Sequence, residues 1–197
     1  MVNEKNAAAG AAANHANKTK FLILAGMFAA VTAVCSWINI PLPFTPVPIN
    51  LALLAVYLAG GLLGVKYGFF SELIYILLGA IGVPVFAGFS GGFGIITGAT
   101  GGFIIGYLFA AVLVGLLSSG TETMPAKKAV VRLALACLTG MVCCYAFGLA
   151  WFMVLTGTDL MGSLVACVFP FLPGDAVKIV LAVILIRRLK PVVNRQQ

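Results

Sequence analysis

Two charged residues near the end of the chain, Asp175 and Lys178, lie within a segment that is otherwise apolar. Every other Lys or Arg lies outside the apolar segments or at the edge of one. A charge at bilayer depth costs about 2.5–3.5 kcal/mol on insertion scales, so such residues usually face a partner or a polar cavity. On a helix the i,i+3 spacing places both side chains on one face, about 4.5 Å apart along the axis. The pair is therefore predicted to contact a ligand, with a structural ion pair between helices as the alternative.

The composition of the chain is typical of an integral membrane protein. Of its 197 residues, 62% are hydrophobic and only 9% are charged, and the mean hydropathy is +1.13. The net charge of +7 does not indicate nucleic-acid binding, because the basic residues flank the apolar segments instead of forming a patch. We therefore expect a protein surrounded by membrane lipid, with no nucleic-acid partner.

No group of residues predicts catalysis, a metal site or a cofactor. The five cysteines lie in apolar runs without metal-type spacing, and the single histidine, His15, lies near the N-terminus. No Ser/His or HExxH arrangement indicates an intramembrane enzyme, and no GxxxxGK[ST] loop indicates an ATPase. The sequence therefore predicts a protein that is not an enzyme.

The apolar segments and the basic residues together predict the topology. A membrane span needs about 20 apolar residues, and six segments fit: 21–40, 49–65, 67–85, 95–117, 129–155 and 160–186. With both termini cytoplasmic, every Lys and Arg outside the spans lies on the inner side, and loops 41–48, 86–94 and 156–159 contain none. Only Lys66 separates the second and third spans, which requires a tight hairpin. We expect an all-α cell-membrane protein with six transmembrane helices, in a prokaryotic plasma membrane.

This topology divides the chain into three parts. Residues 1–18 are expected to form a flexible cytoplasmic tail, 19–190 a six-helix substrate-binding membrane domain, and 191–197 a second cytoplasmic tail. Glu72 lies about 9 Å beyond Lys66 along a helix. We expect it to form a lateral ion pair with Lys66 or a cytoplasmic contact.

A proline and a glycine directly precede the charged pair. Pro173 and Gly174 are expected to interrupt the sixth span, because proline lacks a backbone donor and disfavours helix in the residue before it. A helix restarting after Gly174 would hold Asp175 in its first turn, where the helix dipole favours a carboxylate. Broken helices at this depth are tolerated where they line a cavity.

Two loops predicted on the outer side could cover such a cavity. Segment 40–50 contains four prolines and is predicted to be stiff and extended, serving either as a lid or as a connector. Segment 79–94 is rich in glycine, so its backbone could hydrogen-bond a ligand.

Two helical patterns are open to more than one interpretation. Small residues four apart, Ala25 with Ala29 and Gly26 with Ala30, allow close helix packing either inside the protein or against another subunit. Tyr145, Gly148 and Trp151 follow one helical stripe, where the aromatic rings could stack on a ligand. Alternatively, Trp151 anchors the membrane interface.

Taken together, these motifs resemble the BioY family, the biotin-binding S components of energy-coupling factor (ECF) transporters. The resemblance covers most of residues 21–190. It depends on Val47-Pro48-Ile49, Leu58 to Gly64, Gly79 to Phe86, Gly98 to Phe103, Tyr145/Gly148/Trp151 and Pro173 to Lys178. The chain departs from the usual family pattern at Ala52, Ala99 and Phe103.

The resemblance implies capture of biotin from outside, in a complex with a transmembrane coupling subunit and two ATPase subunits. It implies that Ala25 and Ala29 dock on the coupling subunit. The expected substrate-binding residues are Asp175, Lys178, Tyr145, Trp151, Phe86, Gly92 and Val47. The alternative is an S component or a facilitator for another small, vitamin-like substrate.

Overall fold

The computed structural model describes residues 2–194, with side chains for residues 18–193. Seven α-helices lie in this range: α1 (Val2–Trp37), α2 (Ala52–Ala80), α3 (Phe93–Thr97), α4 (Gly101–Ser118), α5 (Ala126–Thr156), α6 (Leu160–Cys167) and α7 (Leu172–Asn194). Two strands, β1 (Asn39–Leu42) and β2 (Thr45–Asn50), and short 3₁₀ turns at Ala87–Phe89 and Thr121–Thr123 complete it. Because α1 begins at Val2, it includes most of the segment for which the sequence predicts a flexible tail.

Helix α2 folds back on itself at Gly64. This glycine has φ 75° and ψ −173°, outside the helical region. A methyl group at Gly68 would lie only 3.0 Å from Cα of Gly60, whereas in a continuous helix those positions are about 12 Å apart. The turn that the sequence predicts at Lys66 therefore falls at Gly64, and it divides α2 into two arms that pack together.

The helices pack in the order α1, α2, α4 and α5, with α7 against α2 and α5. Glycines bring α2 and α4 unusually close. A methyl group at Gly60 would lie 2.4 Å from the carbonyl oxygen of Ala111, and one at Gly115 would lie 2.7 Å from the backbone nitrogen of Val65. Only a residue without a side chain fits at these contacts.

The predicted all-α fold needs one correction. The proline-rich segment after α1 forms a β-hairpin, in which Asn39 pairs with Asn50 and Leu42 with Thr45. A two-stranded sheet has an outer edge on each strand, and proline is tolerated at such edges because its nitrogen need not donate. Alternation along β2 directs Val47 inwards and leaves the preceding Pro46 exposed.

The last apolar segment is broken, as predicted, but the break comes earlier. Helices α6 and α7 are bent by 56°, and α7 already begins at Leu172. The break lies at residues 168–171, and Pro173 occupies the first turn of α7. Proline fits there because its missing N–H would have no helical partner. Asp175 lies in the first turn of α7, as expected.

Within the described residues, four helices are long and apolar enough to cross a membrane: Lys18–Trp37, Ala52–Ala80, Gly101–Thr123 and Ala126–Thr156. The bent pair Leu160–Cys167 and Leu172–Val193 gives a fifth crossing if it is counted as one span. The chain is therefore a mostly helical, multi-pass membrane protein.

A candidate ligand-binding cavity

A cavity of about 240 Å³ lies where the broken last span meets the other helices and the β-hairpin. Its wall includes residues from α1, β2, both arms of α2, α4, α5 and α7, and from the segment between α2 and α3. Much of the wall is aromatic or aliphatic, including Leu53, Phe86, Ile95, Phe103, Ile104 and Phe171.

The charged pair forms part of this wall. Asp175 is 2% exposed and Lys178 is 4% exposed, and the Lys178 Nζ lies 2.6 Å from the Asp175 Oδ1. The Tyr145 hydroxyl donates to the Asp175 Oδ2. Each carboxylate oxygen thus has one donor, and Lys178 keeps two further N–H groups. The i,i+3 spacing on α7 produces the geometry that the sequence predicts.

Neutral polar groups occupy another part of the wall. The Tyr75 hydroxyl donates to the Ser36 Oγ at 3.2 Å, which joins α2 to α1. Tyr107 of α4 and Asn50 both line the cavity, and the Asn50 Oδ1 accepts from the Ala52 backbone N–H at the start of α2. These hydroxyl and amide groups can donate to or accept from an uncharged polar part of a ligand.

The β-hairpin and the segment between α2 and α3 form one side of the cavity. Pro46, Val47 and Pro48 line it from β2. Phe86 lines it from the other segment and is 1% exposed. The Phe86 ring packs so closely on Gly79 that a methyl group there would lie 2.0 Å from it. Glycine at position 79 is therefore needed to seat this ring.

Most of the residues predicted to bind substrate come together at this cavity. Asp175, Lys178, Tyr145, Phe86 and Val47 all line it. They come from four separate parts of the chain: β2, the segment after α2, α5 and α7.

Trp151 and Gly92 are not among the lining residues. Trp151 is 37% exposed, and its indole Nε1 donates to the Gly98 carbonyl at 3.0 Å. Gly92 has φ 104°, and its N–H donates to the Gly79 carbonyl at 2.7 Å. In this structure both residues hydrogen-bond to backbone outside the cavity surface.

Sequence reasoning missed the neutral residues of the wall, above all Ser36, Asn50, Tyr75 and Tyr107. Each is a single polar residue in or beside an apolar segment, and nothing in the sequence brings the four together. The only available signal was the presence of hydroxyl and amide groups within predicted spans.

The predicted docking residues Ala25 and Ala29 are buried inside the protein. They are 0% and 2% exposed, because this face of α1 packs on the rest of the protein. Gly26 and Ala30, the second small-residue pair, lie on the exposed face. The sequence shows both pairs, but it does not show which of them faces the interior of the protein.

Comparisons with known proteins agree with this architecture. The sequence model of the BioY family matches residues 6–195. The biotin transporter BioY of Thermotoga maritima is 36% identical over 169 residues, covering 86% of this chain and 95% of the relative. The probable biotin transporter BioY of Pyrococcus horikoshii is 39% identical over 173 residues, covering 88% and 98%.

A solved structure is also similar. It is the crystal structure of the S-component for biotin from an ECF-type ABC transporter, with a TM-score of 0.78 and 32% identity. The match covers 91% of this chain and 93% of that one. Family match, relatives and fold agree, and the chain belongs to the BioY family.

Proposed function

We propose that this protein binds biotin with high affinity and mediates its uptake as the substrate-binding S component of an ECF transporter. The observation that carries the proposal is the buried Asp175–Lys178 pair in the wall of the cavity. Two relatives named as biotin transporters and a fold shared with a biotin S-component support it.

The chemistry of biotin fits this cavity. Biotin has an apolar ring system and chain, a ureido group with two N–H donors and one acceptor, and a carboxylate. Asp175 can accept the ureido N–H groups, and Lys178 can donate to the ureido oxygen or to the carboxylate. Phe86 and Phe103 supply apolar surface for the rings.

We further propose six membrane crossings with both termini in the cytoplasm. The two arms of α2 count as two crossings, and α6 with α7 as one. The first arm of α2, residues 52–63, is only about 18 Å long, less than the roughly 30 Å hydrocarbon core. The β-hairpin before it therefore lies within the outer part of the membrane, where it closes the cavity together with segment 86–94.

The proposed partners are a transmembrane coupling subunit and two ATPase subunits. The chain contains no GxxxxGK[ST] loop of its own, so energy from ATP must come from another subunit. We assign docking to the exposed face of α1 with Gly26 and Ala30. A methyl group at Gly26 would meet no atom within 4 Å, which leaves room for a partner helix to approach closely.

Mass spectrometry of small molecules that copurify with the protein in detergent tests the substrate. We expect biotin with the wild-type protein and much less with Asp175→Asn. A different vitamin that copurifies with the wild type and is lost in Asp175→Asn would contradict biotin as the substrate. The protein would then be an S component for that vitamin.

A further inference from the structure

The carboxyl group of Glu72 is buried between α1 and the second arm of α2 and does not line the cavity. Glu72 is 0% exposed. Its Oε1 lies 3.1 Å from the Thr32 Oγ1, and its Oε2 has no hydrogen-bond partner. The predicted ion pair with Lys66 is wrong, because Lys66 is exposed and its Nζ lies 5.6 Å from the centre of the Tyr67 ring. In the part of the chain that the structure describes, no Lys or Arg pairs with Glu72.

The hydrogen bonds of Thr32 indicate the protonation state of this carboxyl group. The Thr32 Oγ1 lies 3.0 Å from the Phe28 carbonyl oxygen and 3.1 Å from the Glu72 Oε1. A threonine hydroxyl has only one hydrogen, so it cannot fully satisfy two acceptors. If Glu72 carries a proton on Oε1, it donates to Thr32, and Thr32 donates to Phe28. Each close contact then contains one hydrogen, and no unpaired charge is buried.

We propose that Glu72 and Thr32 form a proton-binding site that holds α1 against α2. The ligand is a proton taken from solvent and returned to it on ionisation. Three titratable groups lie close enough to interact electrostatically with this carboxyl group: Cys35 of α1, Tyr75 of α2 and Tyr107 of α4. None of them is a cation that could replace the proton.

The site is adjacent to the cavity. Tyr75 lies one helical turn from Glu72 on α2, and Ser36 lies one turn from Thr32 on α1. The bond between Tyr75 and Ser36 joins the same two helix faces, and both residues line the cavity. Loss of the proton would bury a charge beside this contact and weaken the packing of α1, so occupancy of the site affects ligand binding. This part of the inference rests on the proposed biotin function.

Infrared spectroscopy of the purified protein tests the proton directly. We expect a C=O stretching band of a protonated carboxyl group at neutral pH, absent in Glu72→Gln and retained in the control Glu122→Gln. Thr32→Val should shift the band, because it removes the hydrogen-bond partner, whereas Thr32→Ser should leave it in place. A band unchanged by both Glu72→Gln and Thr32→Val, or no band at all, would overturn the proposal without reference to biotin.

Biotin titrations as a function of pH test the link to the cavity. Above the pH at which Glu72 ionises, wild-type affinity should fall by up to about tenfold per pH unit. Glu72→Gln should lose this dependence, because its amide can donate to Thr32 at every pH. If the infrared band titrates with pH but affinity does not follow it, the proton site is not coupled to the cavity. Failure to bind biotin at any pH would contradict the proposed function and leave the infrared result standing.

Discussion

Replacing Lys178 by methionine should separate a ligand role of the charged pair from a structural one. The methionine side chain would keep an unbranched apolar stem and lose the charge. Asp175 would remain buried. Of its two hydrogen-bond donors, Tyr145 and Lys178, only Tyr145 would be left. The same substitution therefore removes a contact available to biotin and leaves an uncompensated carboxylate.

The two effects have different magnitudes. Breaking a buried ion pair by removing one partner destabilises a protein by about 3–5 kcal/mol. Losing one hydrogen bond to a charged group costs about 1.5–3 kcal/mol, equivalent to a roughly 10- to 150-fold weaker affinity. We therefore expect Lys178→Met both to lower thermal stability and to weaken biotin binding at least about tenfold.

The double variant Asp175→Asn/Lys178→Met distinguishes the two roles. It removes both charges, so stability in detergent should recover, because replacing a whole buried pair is often close to neutral. Biotin affinity by calorimetry should stay low. Lys190→Met is the matched control: Lys190 is also buried and lies 3.2 Å from the Glu122 carboxylate, but it is outside the cavity. The Lys190→Met variant should be less stable than the wild type and should bind biotin with unchanged affinity.

The result that would refute this reasoning is a stable double variant with wild-type affinity. The pair would then have only a structural role within α7. Ligand binding would depend on the neutral groups of the cavity wall.

Three further predictions concern the α1 face, the cover of the cavity and helix packing. Gly26→Trp should prevent copurification with the proposed coupling subunit and leave biotin binding intact, whereas Ala25→Trp should prevent folding. Copurification of the Gly26→Trp variant would show that the interface lies elsewhere. In a background without native cysteines, biotin should slow the labelling of Pro46→Cys by an impermeant thiol reagent. It should not slow the labelling of the control Phe44→Cys, because position 44 of the hairpin is 62% exposed. Equal slowing at both positions, or none at either, would argue against the β-hairpin as a cover of the cavity. Gly60→Ala should lower the free energy of unfolding by about 1–3 kcal/mol, because the new methyl group overpacks the contact with α4. A melting temperature equal to that of the control Gly26→Ala would contradict this prediction.

The charged pair was predictable because charge in an apolar segment is rare, and its helical spacing decides its geometry. Asp175 and Lys178 needed no information from elsewhere in the chain. The position of the helix break was less accessible. Pro173 can either end a helix or begin one, and the packing of α6 on α5 and of α7 on α2 and α5 decides between these roles.

Other features depend on contacts that a sequence does not contain. The β-hairpin was missed because prolines disfavour strands inside a sheet, whereas both strands here are edges. The exposed and buried faces of α1 could not be distinguished, since Ala25 and Gly26 differ by one position and both begin a small-residue pattern. Glu72 was assigned to Lys66 by proximity along the helix, whereas its partner Thr32 belongs to α1.

The reversal of α2 at Gly64 also constrains how the chain is assembled during synthesis. Every residue of the first arm, from Ala52 to Leu63, is buried, so the finished protein leaves no face of this arm for lipid. An arm about 18 Å long is also too short to insert as an independent span. On the proposed topology with six crossings, the two arms therefore enter the membrane together as a hairpin. The first arm reaches its final surroundings only when α4 and α7, which are synthesised later, arrive to enclose it.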